Sequence, residues 1–235
     1  MTEQTIVSDA DALEALARVC EDRAWTYGLI SRLFRRELDH AFLEQIKGKR
    51  FPAATGNTEV DKGYRLIAQS LSSIQPDTLL NLCIDFTRTF IGSGRMGHSA
   101  AYPYESVYTS EQRLLMQEAY TEVTAIYRSA GLAKDEAWKE TEDHIATELE
   151  YLQILCSRCA RALRASDEDT AMSLLKNQYH FLKDHLASWA PLMIADMQKF
   201  SKTNLYQGLS HLLSGFLQVE EAFLYDIVGD TAEAA

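Results

Sequence analysis

Residues 141–163 read TEDHIATELEYLQILCSRCARAL, and this stretch decides the fold. Its apolar side chains recur at alternating intervals of four and three residues, which is the period of one face of an α-helix and not of a strand. Neither Gly nor Pro interrupts the pattern. It predicts a long helix, beginning near Thr141, that buries one face made of Ile145, Leu149, Leu152, Cys156, Cys159 and Leu163.

The rest of the chain has the same helical character. Its 235 residues include only 11 Gly and 4 Pro, and Leu and Ala, which are strong helix formers, are abundant. Further apolar stripes at helical spacing lie on both sides of residues 141–163, and neither a repeat nor a low-complexity linker separates them. We therefore predict an all-α protein, with one domain over residues 1–235 built from about eight to ten helices.

The helical pattern has one long interruption. From Gly92 to Tyr108 the period is absent for about seventeen residues, which is long for a connection in a compact helical domain. Thr109 to Gln112 then fit a capping box, so the next helix is expected to begin there. Long loops of this kind often carry function.

Charge restricts the partners and the compartment. With 23 Lys and Arg against 34 Asp and Glu, the net charge of −11 disfavours nucleic acid and anionic membranes and favours a cationic peptide. The first ten residues lack the positive charge and apolar run of a secretory signal, and no stretch is long and apolar enough for membrane insertion. We expect a cytoplasmic protein with reduced cysteines.

Residues 92–97 read GSGRMG and match the glycine pattern G-x-G-x-x-G. In dinucleotide sites this pattern follows a strand and precedes a helix, so that backbone amides meet the phosphates. Here the preceding segment has helical periodicity, which favours a flexible loop. The alternative function is nucleotide binding or hydrolysis, carried out by a helical protein with this loop.

Cys156 and Cys159 have the CxxC spacing, which places both sulfurs on one helix face. A structural zinc site needs about four ligands, and no second CxxC or HxxxH accompanies them. Because both thiols lie on the apolar stripe, core packing is favoured over a metal site that would also use His144. The sequence also lacks an assembled nucleophile and base, so we predict no catalytic residues, no metal and no cofactor.

Two segments stand apart from this background. Residues 101–108, AYPYESVY, place aromatic side chains and Glu105 in a non-helical stretch, where Tyr104 and Tyr108 either wall an apolar groove or clamp the loop onto the core. Residues 140–144, ETEDH, are acidic at a helix start, where they either bind a cationic group or only meet the helix dipole, with Thr141 as the cap.

Taken in order with FTRTFIG at 86–92, FLKDHLASW at 181–189 and YQGL at 206–209, these segments resemble the TorD/DmsD/NarJ family of cytoplasmic chaperones for molybdenum-containing redox enzymes. The resemblance covers about residues 20–225. It implies a TorD-like helical fold without catalysis and a possible hinge near residues 132–143 between two helical halves. Thr141 stands where the family often has proline, which alters the stiffness expected of the loop before the helix.

The resemblance also implies a partner. The chain would bind the twin-arginine leader of a molybdopterin oxidoreductase catalytic subunit, the apo form of that subunit, or both. It would assist cofactor insertion and proofread export as a monomer or a homodimer. The two family motifs place peptide binding at eight residues, namely Tyr104, Glu105, Ser106, Tyr108, Glu140, Glu142, Asp143 and His144.

Overall fold

A computed structural model describes residues 9–92 and 99–232 of the chain. These residues form ten α-helices and two π-helical turns and contain no β-strand, so the all-α prediction is confirmed. The helices are α1 (Asp9–Arg35), α2 (His40–Lys47), α3 (Thr58–Ser72), α4 (Thr78–Phe86), α5 (Glu105–Thr109), α6 (Glu118–Ser129), α7 (Ile145–Arg164), α8 (Glu168–Phe181), α9 (Ala187–Phe200) and α10 (Asn204–Ala232), and the π-helical turns are Thr87–Ile91 and Leu182–Leu186.

Helix α7 lies at the centre of the core. The six apolar side chains of the predicted stripe are all at most 4% exposed. Helices α1 and α8 both pack along α7, so side chains outside the stripe, including Ala146, Thr147 and Glu148, are buried as well. The stripe is therefore confirmed, and α7 buries more of its surface than a one-sided amphipathic helix would.

Helices α3 and α10 approach each other closely through glycines. A Cβ atom on Gly63 would lie 2.4 Å from the backbone nitrogen of Leu212, and one on Gly208 would lie 2.8 Å from the carbonyl oxygen of Gly63. Neither glycine has room for a side chain unless the backbones move apart. This contact fixes α10 against the amino-terminal half of the chain.

Substituting Gly63→Ala should lower the free energy of unfolding by about 2 kcal/mol, because the added methyl overlaps backbone atoms and not the end of a flexible side chain. Gly48→Ala is the matched control, since a Cβ there meets no atom within 4 Å. That control should be neutral or stabilising by about 0.5 kcal/mol. Urea unfolding of both variants measures the difference, and equal losses would contradict the close approach.

The loop region differs from its prediction at both ends. Residues Glu105–Thr109 are helical, although this stretch is expected to be irregular, and the helix expected at Thr109 begins only at Glu118. The hydroxyl of Thr109 donates to the carbonyl of Glu105 and so closes α5 instead of capping a new helix. Positive φ angles at Arg113 (52°) and Met116 (57°) then turn the chain before α6.

The connection between α6 and α7 is built from turns, and it is where a hinge near residues 132–143 is predicted. Helix α7 starts at Ile145, four residues later than the sequence predicts, and its cap is His144 and not Thr141. The hinge, and the division into two helical halves, stay predictions. None of the helices in the described ranges combines the length and the apolar character needed to cross a membrane.

Candidate functional site

The two segments singled out by sequence lie side by side. The backbone N–H of Glu105 donates to the carbonyl of Asp143, and the N–H of Ile145 donates to the carbonyl of Pro103, both at 2.9 Å. Between them, Tyr104 and His144 form an isolated antiparallel bridge. Residues 103–106 and 141–145, which we call the clasp, thus hold the long loop against the start of α7.

Asp143 fastens the clasp from inside. Its side chain is fully buried, and one carboxylate oxygen accepts the backbone N–H of Ser106 at 3.0 Å. The other oxygen accepts the hydroxyl of Thr141 at 2.5 Å. Ser106 is itself fully buried and its hydroxyl accepts the N–H of Gln117, so the same residue also ties down the turn that follows α5. Both carboxylate oxygens of Asp143 therefore accept hydrogen bonds from within the protein.

His144 caps helix α7. Its Nδ1 accepts the backbone N–H of Ala146 at 3.0 Å, and its ring meets the rings of Tyr104 and Trp138 edge-on at centroid distances of 5.0 and 4.9 Å. Burial, followed by the positive charge of Arg35, lowers the pKa of His144 to about 3. The imidazole is therefore neutral at pH 7 and serves as a cap acceptor.

The neutral state of His144 predicts a pH dependence. His144 is protonated near pH 6.5 in the unfolded chain but only near pH 3 in the folded chain. Protonation therefore favours the unfolded chain, and the protein loses stability as the pH falls below 6.5. In His144→Asn the cap acceptor survives without titrating. From pH 6 to pH 4.5, wild type should lose about 2 kcal/mol more unfolding free energy than this variant. Parallel stability curves would contradict the assignment.

Glu105 points into the core and pairs with a residue far along the chain. It is 3% exposed, and both its carboxylate oxygens lie 3.2 Å from Nδ1 of His185. Burial alone would lower the pKa of His185, but the hydrogen bond to Glu105 and the charges of Glu105, Glu122 and Asp184 raise it above its usual value. His185 is thus a buried core histidine whose partner is Glu105.

Glu148 is a further buried carboxyl group that sequence reasoning misses. It is fully buried on α7, and it accepts the indole N–H of Trp189 at 3.2 Å. Burial, and then the negative charges of Glu105 and Asp143, raise its pKa well above the usual value, which favours the neutral form of the carboxyl group. The only signal in the sequence is its position one turn after His144, next to the apolar stripe of α7.

The predicted residues that reach the surface are Tyr104, Tyr108, Glu140 and Glu142, which are all partly exposed. The hydroxyl of Tyr104 donates to the carboxylate of Glu140. The hydroxyl of Tyr108 donates to Asp196 at 3.1 Å, and its ring stacks on Trp189 at 5.7 Å. Burial, and then the neighbouring carboxylates, raise the pKa of both tyrosines, which keeps them protonated as hydrogen-bond donors.

An apolar groove of about 520 Å³ lies beside the clasp, which we call the loop groove. It is lined by Tyr102, Tyr104, Val107, Arg113, Leu114, Leu115 and Gln117. Leu114, Leu115 and the adjacent Met116 are 51%, 46% and 57% exposed, which is a costly arrangement for three consecutive apolar side chains. The sequence assigns these residues to a capped helix, so it does not reveal their exposure.

The glycine motif and the Cys156–Cys159 pair are the two competing chemical sites suggested by the sequence. Residues 93–97 of the glycine motif lie outside the described residues, and the segment that precedes Gly92 is helical, as predicted. Cys156 and Cys159 are fully buried in the core, where the thiol of Cys156 donates to the side-chain oxygen of Gln178. In the part of the chain that the structure describes, no group of three or more His, Cys, Asp or Glu side chains is arranged to hold a metal ion.

An all-helical core, a clasp between two separate motifs and an apolar groove beside it define a class of helical binding proteins. Residues 55–195 match the family described as nitrate reductase delta subunit, and the chain belongs to this family. The predicted resemblance to the TorD/DmsD/NarJ chaperones is thereby confirmed.

Individual relatives resemble the chain over nearly its whole length. It is 29% identical over 210 residues to the chaperone protein TorD of Vibrio parahaemolyticus, covering 87% of this chain and 95% of the relative. The TorD proteins of Photobacterium profundum and Vibrio cholerae are 27% and 26% identical, over 87% and 93% of this chain and 94% and 99% of their own lengths.

Proposed function

We propose that this protein is a cytoplasmic, non-enzymatic chaperone in the maturation of a molybdopterin oxidoreductase. It binds the twin-arginine leader and the apo form of the catalytic subunit, assists cofactor insertion and holds back export until insertion is complete. The observation that carries this proposal is the exposed apolar loop groove beside the clasp, in a member of a family whose relatives are named TorD chaperones.

The loop groove would receive the apolar part of the leader. Burying roughly 400 Å² of apolar surface gives a gross ~10 kcal/mol at about 25 cal/mol per Å², from which ordering a flexible peptide subtracts several kcal/mol. An exposed Arg–carboxylate pair adds only about 0.2–1 kcal/mol. Apolar contacts with Leu114 and Leu115 would therefore set the affinity, and carboxylates would set orientation and association rate.

The eight predicted peptide-binding residues divide into two roles in this proposal. Tyr104 lines the groove and its hydroxyl donates to Glu140, and these two residues, with partly exposed Glu142, would contact a bound arginine. The buried residues Glu105, Ser106, Asp143 and His144 would act from behind the surface by fixing the clasp. Tyr108 would support α5 through its contacts with Trp189 and Asp196.

The test is isothermal calorimetry with the leader peptide of a molybdoenzyme encoded beside this gene. Wild type should bind saturably, and Leu115→Ser should weaken binding about tenfold, because it removes apolar surface that the leader covers. Leu80→Ser is the matched control, since Leu80 is 62% exposed on α4 and does not line the loop groove.

The possible results separate the function from the site. If wild type ignores the leader, the proposed function is wrong. If Leu115→Ser and Leu80→Ser both bind as wild type does, the leader lies elsewhere on the protein and the loop groove is not its site.

A further inference from the structure

A second groove lies between α1, α2 and α3, and none of its lining residues belongs to the clasp. It consists of two depressions, of about 470 and 440 Å³, and the ring of Phe51 borders both. Trp25 and Phe42 line the first depression, and Tyr64 and Arg65 line the second. We call this surface the aromatic groove.

The walls of the aromatic groove are held in place. Phe51 stacks on Tyr64 with a centroid distance of 5.5 Å and an interplanar angle of 19°. The guanidinium of Arg32 lies 4.3 Å from the ring of Phe42 and also pairs with Asp39. Trp25 is 43% exposed and adds its ring to the apolar surface of the first depression. The groove is therefore preorganised and partly apolar.

The lining of the aromatic groove as a whole carries two cationic side chains and one carboxylate, on a chain of net charge −11. Lys49 lines one depression and Arg65 the other, and Arg50 and Lys62 lie next to these positions in sequence or on the same helix. Among the described residues, none of these four side chains has an ion pair or a side-chain hydrogen bond. Asp61, the one carboxylate on the lining, accepts the backbone N–H and hydroxyl of Thr55, both at 2.8 Å.

We propose that the aromatic groove docks an acidic segment of a partner protein, with one apolar side chain seated on each side of Phe51 and carboxylates meeting Lys49 and Arg65. A twin-arginine leader is cationic and would be repelled here, so this surface serves a second contact. It would be occupied together with the loop groove and not in competition with it.

The shape favours a protein segment over a small anion. A small-molecule site buries about 70–90% of its ligand in one enclosed pocket, whereas two open depressions divided by a ring match successive side chains of a peptide. Charge complementarity would mainly raise the association rate and reject cationic partners, while the two apolar side chains would supply affinity.

Fluorescence anisotropy tests the proposal with labelled acidic peptides that each carry two leucines among glutamates, with the spacing between the leucines varied. At least one spacing should bind saturably, and its copy with lysine in place of glutamate should not. The double variant Lys49→Glu with Arg65→Glu should weaken binding about tenfold. The control, Arg128→Glu with Arg161→Glu, changes the net charge equally at exposed positions outside the groove and should bind as wild type does.

Several results would overturn the proposal. These are no saturable acidic peptide, equal binding of the lysine copy, or equal effects of the two double variants. Displacement of the peptide by ATP or GTP at the same site would also overturn it, in favour of a small anionic ligand. Leader affinity should be unchanged in the Lys49→Glu, Arg65→Glu variant, so that failure of the leader to bind tests the proposed function and leaves this result standing.

Discussion

Replacing Arg23 with methionine should lower the free energy of unfolding by about 3–5 kcal/mol. Arg23 on α1 is 6% exposed and Glu220 on α10 is 1% exposed. Three hydrogen bonds join them, from Nε to Oε1 at 2.8 Å and to Oε2 at 3.0 Å, and from Nη2 to Oε2 at 2.7 Å. Without the guanidinium, the carboxylate of Glu220 stays in the core with no counter-charge, so the loss should far exceed that of a surface ion pair.

Two further variants isolate this cause. The double variant Arg23→Met with Glu220→Leu removes both charges, and it should recover most of the lost stability because an apolar pair of similar volume is nearly neutral in a core. Arg18→Met breaks the pair with Glu14, whose side chains are 73% and 39% exposed, and should cost less than about 1 kcal/mol. If the single and double core variants were equally destabilised in urea, lost packing and not an isolated charge would be the cause.

Helical periodicity identifies the parts of the fold that depend on apolar spacing. It predicts the buried face of α7 from Ile145 to Leu163, because burial of an apolar stripe follows from local sequence alone. It fails from Glu105 to Glu118, because there the chain direction is set by tertiary hydrogen bonds. The hydroxyl of Ser106 accepts the N–H of Gln117, a contact that no local pattern encodes.

The candidate site is less predictable from sequence than the helices are. The resemblance identifies the two segments of the clasp, but it does not indicate that Glu105 and Asp143 point inward, since carboxylates are usually solvated. Their burial depends on partners distant in sequence, namely His185 for Glu105 and the N–H of Ser106 for Asp143. Conversely, Leu114 is an apolar residue of the kind usually found in a core, but the turn at Arg113 leaves it at the surface.

The inward direction of Asp143 leads to the prediction with the most direct bearing on function. Asp143→Ala should lower the free energy of unfolding by about 3 kcal/mol, because the buried N–H of Ser106 and the hydroxyl of Thr141 both lose their acceptor. It should also weaken leader binding tenfold or more, although Asp143 is fully buried, because the clasp that positions Tyr104 and the loop groove is loosened.

Asp167→Ala provides the matched control for Asp143→Ala. Asp167 also uses its carboxylate to accept a backbone N–H, that of Thr170 at 3.1 Å, but it caps α8 at an exposed position away from the loop groove. Its replacement should cost about 1 kcal/mol of stability and leave leader affinity unchanged. A comparison of the two aspartates therefore separates a general loss of stability from a loss of the binding surface.

Calorimetry with the leader measures the affinity at a temperature where both variants are folded. Native-state hydrogen exchange of the amides of Glu105 and Ser106 measures how often the clasp opens. Faster exchange together with weaker binding in Asp143→Ala alone is the expected result, because the amide of Ser106 loses its acceptor when the carboxylate is removed. Faster exchange with unchanged affinity would mean that the clasp stabilises the fold without shaping the leader site. In that case the four buried residues of the predicted set, Glu105, Ser106, Asp143 and His144, would have a structural role only.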